Sequence, residues 1–240
     1  FNYGATVILS ARNHKKLNEI RNEFDSIIKG HCYVIPFDIT RPEEIEKAVE
    51  EVRKLVPRID ILINNAGVSQ RSYALYTRTD IDRQLFEINF FGTITLTKAI
   101  LPWMIGNRGG HIVVISSMAG KYGFPMRTAY SASKHALNGF FESLRTELHD
   151  QNIRVTILCP GRVNTEISVH SLNGNGRQYG IMDKGQKKGV PVERCARIVR
   201  YSIECNKKEV FIGKGEVFLL IVKRIFPPLY YWIVNRVSPT

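Results

Sequence analysis

Short runs of β-branched and aliphatic residues alternate along the chain with longer amphipathic stretches, and this alternation constrains the fold more than any other feature. The short runs predict strands at residues 6–10, 33–37, 60–63, 111–116, 154–158 and 209–212. Apolar residues at helical spacing predict helices at residues 15–29, 42–56, 79–105, 129–149 and 192–205, the second of them capped by Thr40. Strands this apolar are usually buried on both faces. We therefore expect an α/β fold with a doubly wound parallel sheet.

The bulk composition fits a single domain, which we take to span residues 1–240. A chain of 240 residues with 44% hydrophobic content is long enough to bury a sizeable core. The formal net charge of +12 favours anionic partners such as a phosphorylated cofactor, an acidic substrate or a lipid surface. The basic residues are spread along the chain, so we expect no nucleic-acid partner. The four cysteines lack ligand spacing, so we expect reduced thiols and no metal site.

A small set of polar residues after the fourth predicted strand carries the strongest chemical signal. Ser117 ends that strand, and Tyr130 and Lys134 stand one helical turn apart, which places both side chains on one helix face. An ammonium group beside a phenol favours the phenolate, so Tyr130 can act as an acid or a base near neutral pH. The Ser117 hydroxyl can hold a substrate oxygen in line. A Tyr and a Lys at this spacing can equally be an ordinary surface pair, so the neighbouring motifs decide.

Those motifs resemble the short-chain dehydrogenase/reductase family over nearly the whole chain. They are Asn64-Asn65-Ala66-Gly67, the Asn89-Phe90-Phe91-Gly92 stretch, the Ser117, Tyr130 and Lys134 set, and Pro160-Gly161-Arg162-Val163-Asn164-Thr165. The resemblance implies a Rossmann-like fold in which Tyr130 is the general acid/base and Lys134 lowers its pKa while holding the nicotinamide ribose. It implies that Ser117 polarises the carbonyl and that Asn89 positions a water, although a satisfied core asparagine is the alternative for Asn89. The cofactor contacts it implies are Asn65, Ala66, Gly67, Tyr130, Lys134, Pro160, Gly161, Val163 and Thr165, and the substrate contacts are Ser117 and Tyr130.

The residues after the first predicted strand bear on the choice of cofactor. This strand corresponds to the second strand of a dinucleotide-binding fold, which ends near the adenosine ribose, where an acid would bind the ribose hydroxyls of NAD. The chain reads Ser10-Ala11-Arg12-Asn13 at this point and has no acid. Arg12 can clamp the extra phosphate of NADP, and the alternative is a solvated surface arginine. We therefore predict that NADPH binds with contacts from Ser10 and Arg12. Asp38 resembles the family's acid at the adenine edge, and capping of the following turn is its alternative role.

One family feature is not found in this sequence. The glycine-rich turn that cradles the cofactor pyrophosphate is absent, and residues 1–4 match the end of the helix that should follow it. We expect an upstream segment that supplies the N-terminal strand and this turn, so the domain is N-terminally incomplete. A targeting signal could lie there too. The expected location is the cytoplasm, or the cytoplasmic or organellar face of a membrane.

The substrate and the C-terminal tail can be predicted only in outline. Apolar residues flank the motif, which suggests an apolar, lipid- or steroid-like carbonyl or alcohol, although core packing explains each of them equally well. They are Met118, Tyr122, Phe124, Met126 and Tyr179. The glycine-rich stretch 173–189 suits a loop near the site. The tail, residues 216–240, is apolar with basic insertions and is broken by Pro227-Pro228, so it is not a spanning helix. It could rest on a membrane interface, but a role in covering the cleft or contacting a second subunit is slightly favoured.

These features together predict an NADPH-dependent oxidoreductase that interconverts a carbonyl and a secondary alcohol. The tail resembles the hydroxysteroid-dehydrogenase-like branch, and within it the dehydrogenase/reductase family member seven group. By analogy with the family, the two long helices would pair subunits into a homodimer or homotetramer. A non-catalytic relative that binds nucleotide or a partner is the alternative function.

Overall fold

A computed structural model of the chain describes residues 4–25, 31–213 and 215–236, and it contains every strand predicted above. The strands are β1 Val7–Leu9, β2 Cys32–Val34, β3 Ile61–Asn64, β4 Gly110–Ile115, β5 Ile153–Pro160 and β6 Glu209–Ile212. The helices are α1 His14–Asp25, α2 Pro42–Leu55, α3 Thr79–Phe86, α4 Gly92–Gly106, α5 Thr128–Glu147, α6 Lys184–Lys187, α7 Val192–Glu204, α8 Gly215–Ile225 and α9 Pro227–Val234. Residues 26–30, where α1 was predicted to end, lie outside the described part.

All pairings between these strands are parallel, as expected for strands that alternate with helices. β3, β4, β5 and β6 pair in that order, and β1 pairs with β2. Helices pack on both faces of the four-stranded part: Ile112 and Ile157 point to a core shared with α4 and α5, whereas Val113 and Leu158 pack against α7. This arrangement confirms the predicted α/β fold with a doubly wound parallel sheet.

The sheet is divided into two parts between the β1–β2 pair and β3. On β3, Leu62 is buried, but Ile61 and Ile63 on the opposite face are 45% and 49% exposed. A parallel strand in this type of fold is normally covered on both faces. The strand expected upstream of Phe1 would belong between the two parts, and its existence stays a prediction. The predicted helix end at residues 1–4 falls largely outside the described residues.

The longest predicted helix, at residues 79–105, is continuous from α3 to α4 but changes its winding at Glu87–Phe91, which forms a π-helical turn. Such turns insert an extra residue into a helix and often occur at functional sites. Here the turn buries Asn89 completely. The run Thr79–Gly106 is long and apolar enough to cross a membrane. Because it also carries Leu85 and Met104 into the interior, we interpret it as a core helix.

The start of α2 differs from the prediction that Thr40 caps it. The residue before the first helical turn is Arg41, and no side chain caps the helix. The Thr40 backbone N–H and hydroxyl instead donate to the Asp38 carboxylate, at 2.9 and 2.8 Å. This turn uses the Thr40 hydroxyl before the helix begins, so α2 starts at Pro42, as predicted, but without the Thr40 cap. The stretch 173–189, predicted as a loop, contains only the short helix α6.

Candidate active site

The predicted site residues follow the carboxyl ends of β1 to β5. Because these strands are parallel within each part of the sheet, their carboxyl ends face one edge, where α/β proteins bind ligands. Ser10 and Arg12 follow β1, Asp38 follows β2, and the exposed turn Asn65-Ala66-Gly67 follows β3. Ser117 follows β4, and the residues from Gly161 to Thr165 follow β5.

Tyr130 and Lys134 lie in the first turns of α5, and both are buried, at 8% and 4% exposure. The Lys134 Nζ lies 6.0 Å from the centroid of the Tyr130 ring. It donates a hydrogen bond of 2.9 Å to the carbonyl of Ile115, the last residue of β4. A Cβ atom placed on Gly67 would lie 3.4 Å from the same Nζ. The lysine therefore reaches from the helix to the ends of two strands, and the pair faces the carboxyl edge.

Burial dominates the electrostatics of this pair. It raises the pKa of the Tyr130 phenol, and a hydrogen bond with Ser117 and the charges of Arg71 and Arg127 oppose that rise. Burial also lowers the pKa of Lys134 to about 8. The cations with the largest effect on the phenol are thus two arginines outside the predicted motif. A lysine with this pKa can change protonation state near neutral pH.

Ser117 connects the ends of β4 and β5. Its hydroxyl accepts a hydrogen bond of 3.1 Å from the Ala119 N–H, which caps the 3₁₀ turn Met118–Gly120. It also lies 3.4 Å from the carbonyl oxygen of Pro160, to which it donates. These two bonds fix the hydroxyl, which acts to lower the pKa of the Tyr130 phenol and can orient a substrate oxygen.

Asn89 ties the turn after β3 to α5. Its amide oxygen accepts from the Val68 N–H at 2.8 Å, and its amide nitrogen donates to the Val68 carbonyl at 2.9 Å and to the Ser133 hydroxyl at 3.1 Å. These bonds satisfy the buried amide, as the alternative of a core asparagine requires. A Cβ atom on Gly67 would lie 3.1 Å from the amide oxygen, so a side chain there would crowd the amide. The water-positioning role of Asn89 stays a prediction.

The residues predicted for the adenosine end lie beside a shallow depression at the ends of β1 and β2. Arg12, Phe37, Asp38, Arg41 and Glu44 line it. Burial acts to raise the pKa of Asp38, but the hydrogen bonds from Thr40 and the charges of Arg12 and Arg41 outweigh it, so that the pKa is lowered. Asp38 is therefore ionised and caps the following turn through Thr40, and its contact with adenine stays a prediction.

The stretch Pro160 to Thr165 is held by neighbours from two other parts of the chain. The Arg162 N–H donates to the Glu216 carboxylate at 3.2 Å, and a Cβ on Gly161 would lie only 2.8 Å from that carboxyl carbon. Gly161 thus permits the C-terminal tail to approach. The Gln186 amide bonds the Val163 carbonyl and lies 3.4 Å from the Thr165 hydroxyl.

The apolar residues around the motif divide into two groups. Met118 and Tyr122 are 2% and 3% exposed and belong to the main core, so packing explains them. Phe124 is half-buried, and the guanidinium carbon of Arg127 lies 5.1 Å from its ring centroid. Met126 and Tyr179 are also half-buried. These last three are the apolar side chains that remain available to a ligand.

Comparisons with known proteins place the chain in a family. Residues 1–175 match the family model described as short chain dehydrogenase. The chain is 38% identical over 235 residues to dehydrogenase/reductase SDR family member 7B of Mus musculus, covering 96% of this chain and 73% of that protein. It is 34% identical over 237 residues to the family protein 7-like of Drosophila melanogaster, with coverage of 97% and 73%. A solved short-chain dehydrogenase from Streptomyces avermitilis superposes with a TM-score of 0.79 at 26% identity, covering 97% of this chain and 89% of that one.

The chain belongs to the short-chain dehydrogenase/reductase family. It is therefore an NAD(P)-dependent oxidoreductase, and its curated relatives confirm the predicted branch, that of family member seven.

The residues present fit the two ends of an NAD(P) molecule. Near the nicotinamide end, the space beside Asn89 and Lys134 stays open because residue 67 is a glycine, and any side chain at this position would occupy that space. At the adenosine end, Arg12 offers an exposed guanidinium beside Asp38. The residues that would hold the cofactor are thus Lys134, the Asn65-Ala66-Gly67 turn and Arg12.

A second group of buried polar residues, which no sequence pattern predicts, lies beside the candidate active site of this short-chain dehydrogenase/reductase. They are Gln70, Arg71, Arg127 and Asp183, each less than a tenth exposed. Gln70 and Arg71 follow a strand-end turn, where polar residues are unremarkable. No spacing in the sequence connects them to Asp183, which is 112 positions from Arg71.

Proposed function

We propose that this enzyme interconverts a carbonyl and a secondary alcohol with NADPH, using Tyr130 as the general acid and base. One observation carries the proposal: the Tyr130 phenol is buried at the carboxyl edge of the sheet, where Ser117 acts to lower its pKa and the Lys134 Nζ lies 6.0 Å from its ring centroid. Burial and fixed polar neighbours are what a proton-transferring group needs.

The protein side chains divide the reduction into separate tasks. Ser117 donates a hydrogen bond to the substrate carbonyl and orients it. Tyr130 gives its phenolic proton to the same oxygen as negative charge develops there, and in the reverse direction it takes the proton back. Lys134, held by the Ile115 carbonyl at 2.9 Å, stabilises the phenolate that remains. NADPH, when bound, supplies the hydride.

The experiment that tests this role compares Tyr130→Phe with wild type in the full-length gene product, following NADPH absorbance with a panel of aliphatic, steroid and quinone carbonyls. Tyr231→Phe, at a tyrosine 60% exposed in the tail, is the matched control. We expect Tyr130→Phe to lose at least 10²-fold in kcat, in the range usual for general acid–base catalysis, while NADPH binding measured by fluorescence stays close to wild type. Near wild-type turnover by Tyr130→Phe would reject the proposal and favour a non-catalytic role for the motif.

A preference for NADPH over NADH is supported by the charge at the end of β1. Arg12 is exposed there, Arg41 lines the same depression, and the Ser10-Ala11-Arg12-Asn13 stretch has no acid to bind a free ribose. We expect Arg12→Ala to raise KM for NADPH about 10-fold and to leave KM for NADH unchanged. The control is Arg58→Ala, at a half-exposed arginine paired with Asp60. Equal effects on the two cofactors would contradict this assignment.

An apolar substrate is supported by the half-buried residues that remain near the site, Phe124, Met126 and Tyr179. The tail also reaches this region. The Tyr230 hydroxyl donates to the Gly123 carbonyl at 2.9 Å, and the Lys223 Nζ donates to the Lys121 carbonyl at 3.0 Å. The inner face of the tail therefore covers the loop beside Phe124. We expect the carbonyl panel to favour substrates with long apolar or ring-containing groups over small polar ones.

The outer face of the tail fits the predicted peripheral contact with a membrane. Large apolar side chains are exposed along it, namely Phe218, Ile221, Ile225, Phe226, Leu229, Tyr231 and Trp232. Arg224 and Arg236 lie among them, and Arg236 stacks 4.2 Å from the centroid of the Trp232 ring. Aromatic and basic residues together are typical of segments at a lipid interface.

Co-sedimentation with phosphatidylserine vesicles tests this contact in the full-length protein. We expect the double variant Ile225→Ser, Trp232→Ser to reduce the bound fraction several-fold. Unchanged binding would reject the lipid contact, and a loss of oligomeric state without any vesicle binding would assign the face to a subunit contact.

Pairing of subunits through the long helices also remains a proposal. Phe91, the residue before α4, is 45% exposed. The neighbouring Phe90 packs edge-on against Phe140 of α5, with 6.1 Å between the ring centroids. An apolar surface shared by α4 and α5 could be buried by a second copy. Light scattering should give a dimer or tetramer, and Phe91→Glu should yield monomers. A wild-type monomer at micromolar concentration would contradict the proposal.

A further inference from the structure

Beside the active site, Arg71 and Arg127 converge on one carboxylate, that of Asp183. The Oδ2 atom of Asp183 accepts a hydrogen bond from the Arg71 Nε at 2.8 Å and forms an ion pair with the Arg71 Nη2 at 2.6 Å. The same oxygen lies 3.3 Å from an Arg127 terminal nitrogen. All three residues are buried, at 4%, 8% and 4% exposure for Arg71, Arg127 and Asp183. One carboxylate thus faces two guanidinium groups in a region of low dielectric.

The other carboxylate oxygen, Oδ1 of Asp183, is buried and has no hydrogen-bond partner among the described residues. A carboxylate held only through one oxygen by two cations is an uneven arrangement for a purely structural ion pair, which would normally satisfy both oxygens. The arrangement leaves more positive than negative charge among these three side chains.

The group is packed against the turn of α5 that carries Tyr130. Arg127 immediately precedes that helix, and its carbonyl accepts from the Ser131 N–H at 2.7 Å. Gln70, the neighbour of Arg71, accepts from the N–H groups of Ala129 and Tyr130 through its side-chain oxygen, at 3.0 and 3.3 Å. Arg71 and Arg127 are therefore fixed at the same end of the helix as the phenol.

Charged or titratable groups from four parts of the chain lie around Tyr130. Arg71 comes from the segment after β3, Arg127 from the residue before α5, Lys134 from α5 itself and Cys159 from β5. Asp183 faces Arg71 from the loop after β5. Burial raises the pKa of the Cys159 thiol to about 12, so this group is neutral at the pH of catalysis. Apart from the Lys134 ammonium, the charges beside the phenol are then those of the two arginines and of Asp183, which offsets them.

Building on the proposed function, we propose that Arg71 and Asp183 are positioning residues that tune the acidity of the Tyr130 hydroxyl in opposite directions. Arg71 stabilises the phenolate, and Asp183 limits that effect by neutralising part of the arginine charge. Neither residue needs to touch the substrate, because a buried charge acts over several ångströms.

The loop after β5 controls how close Asp183 comes. It is registered against the segment of Arg71 by two backbone bonds: the Arg71 N–H donates to the Leu172 carbonyl at 2.8 Å, and the Leu172 N–H donates to the Ser69 carbonyl at 2.9 Å. These bonds help to hold the loop in the position where Asp183 contacts Arg71.

The test is the pH dependence of kcat/KM for oxidation of an apolar secondary alcohol by the full-length enzyme with NADP. In this direction Tyr130 must be deprotonated, so the rate rises with pH through its pKa. We expect Arg71→Gln to move this limb to higher pH and Asp183→Asn to move it to lower pH, each on the order of one pH unit. Arg71→Lys keeps the charge and should leave the limb near its wild-type position.

Matched controls come from the exposed pair Arg78–Asp80, whose side chains are 62% and 55% exposed. Arg78→Gln and Asp80→Asn should leave the limb unmoved. If Arg71→Gln does not fold, Arg127→Gln replaces it and should again move the limb to higher pH. A purely structural role would lower activity without moving the limb in opposite directions.

The two proposals fail in different ways. Tyr130→Phe with near wild-type turnover would reject the proposed function. If Tyr130→Phe is inactive, but the limb of the single Arg71 and Asp183 variants stays in place or moves in the same direction in both, this inference alone is overturned.

Discussion

Replacement of Gln70 by leucine should destabilise the protein at the point where the catalytic helix begins. The Gln70 side-chain oxygen accepts from the backbone N–H groups of Ala129 and Tyr130, at 3.0 and 3.3 Å. These N–H groups belong to the first turn of α5, where no earlier helical carbonyl is available to them. The Gln70 amide nitrogen also lies 3.2 Å from the Thr77 hydroxyl. The side chain is 0% exposed, so water cannot take its place without rearrangement.

The magnitude follows from the number of groups left without a partner. Leucine has nearly the volume of glutamine, so Gln70→Leu leaves little cavity but removes the acceptor from both N–H groups. Each buried polar group left unsatisfied costs about 1–3 kcal/mol, so two such groups give a loss of about 2–6 kcal/mol in the free energy of unfolding. Gln70→Glu keeps an acceptor and adds a negative charge at a helix N-terminus, so its loss should be smaller.

Urea unfolding followed by far-ultraviolet circular dichroism measures these differences through the midpoint and slope of the transition. The matched control is Gln84→Leu on the exposed side of α3, which should change stability by no more than about 0.5 kcal/mol. If Gln70→Leu also stays within about 0.5 kcal/mol of wild type, the capping role assigned to Gln70 is wrong.

Three further predictions concern the stability of other parts of the molecule. His111 is buried, and its pKa is lowered from 6.5 to about 4, mainly by burial, so the unfolded chain binds a proton that the folded chain does not. The free energy of unfolding should therefore fall by about 2 kcal/mol as the pH drops from 6.5 to 5. The urea midpoint of His111→Gln should fall less over the same pH range. Tyr230→Phe removes the hydrogen bond that ties the tail to the loop beside the site and should cost about 0.5–1.5 kcal/mol in urea unfolding, whereas Tyr231→Phe should cost nothing measurable. Phe141→Ala, at a fully buried position of α5, should lower stability by about 3–5 kcal/mol, and a loss below 1 kcal/mol would contradict its place in the core.

Much of the fold could be predicted from the sequence because local patterns determine it. The six strands were predictable from short apolar runs such as 111–116, and α5 from apolar spacing over 129–149. The placement of Tyr130 and Lys134 on one face followed from helical geometry alone. Element ends were less certain, as Thr40 illustrates: its hydroxyl could cap α2 or bond Asp38, and only the folded turn decides between them.

The surroundings of the site could not be predicted, because they depend on contacts between distant segments. Arg71 and Asp183 are 112 positions apart and share no periodic pattern. Asn89 was conspicuous as a polar residue within an apolar helix. Its main partner could not be predicted, because the partner is the Val68 backbone and not a side chain. Met118 and Tyr122 are apolar whether they line a cleft or fill the core, and the structure places them in the core.

The central claim is that the Tyr130 hydroxyl exchanges a proton with the substrate oxygen. Incorporation of a fluorinated tyrosine at position 130, whose phenol is more acidic, tests it most directly through the pH profile of kcat/KM for alcohol oxidation. The rising limb should move to lower pH by the difference between the pKa values of the two phenols, while the same replacement at Tyr231 should leave the limb in place. A limb that stays at its wild-type pH when position 130 is fluorinated would contradict the claim.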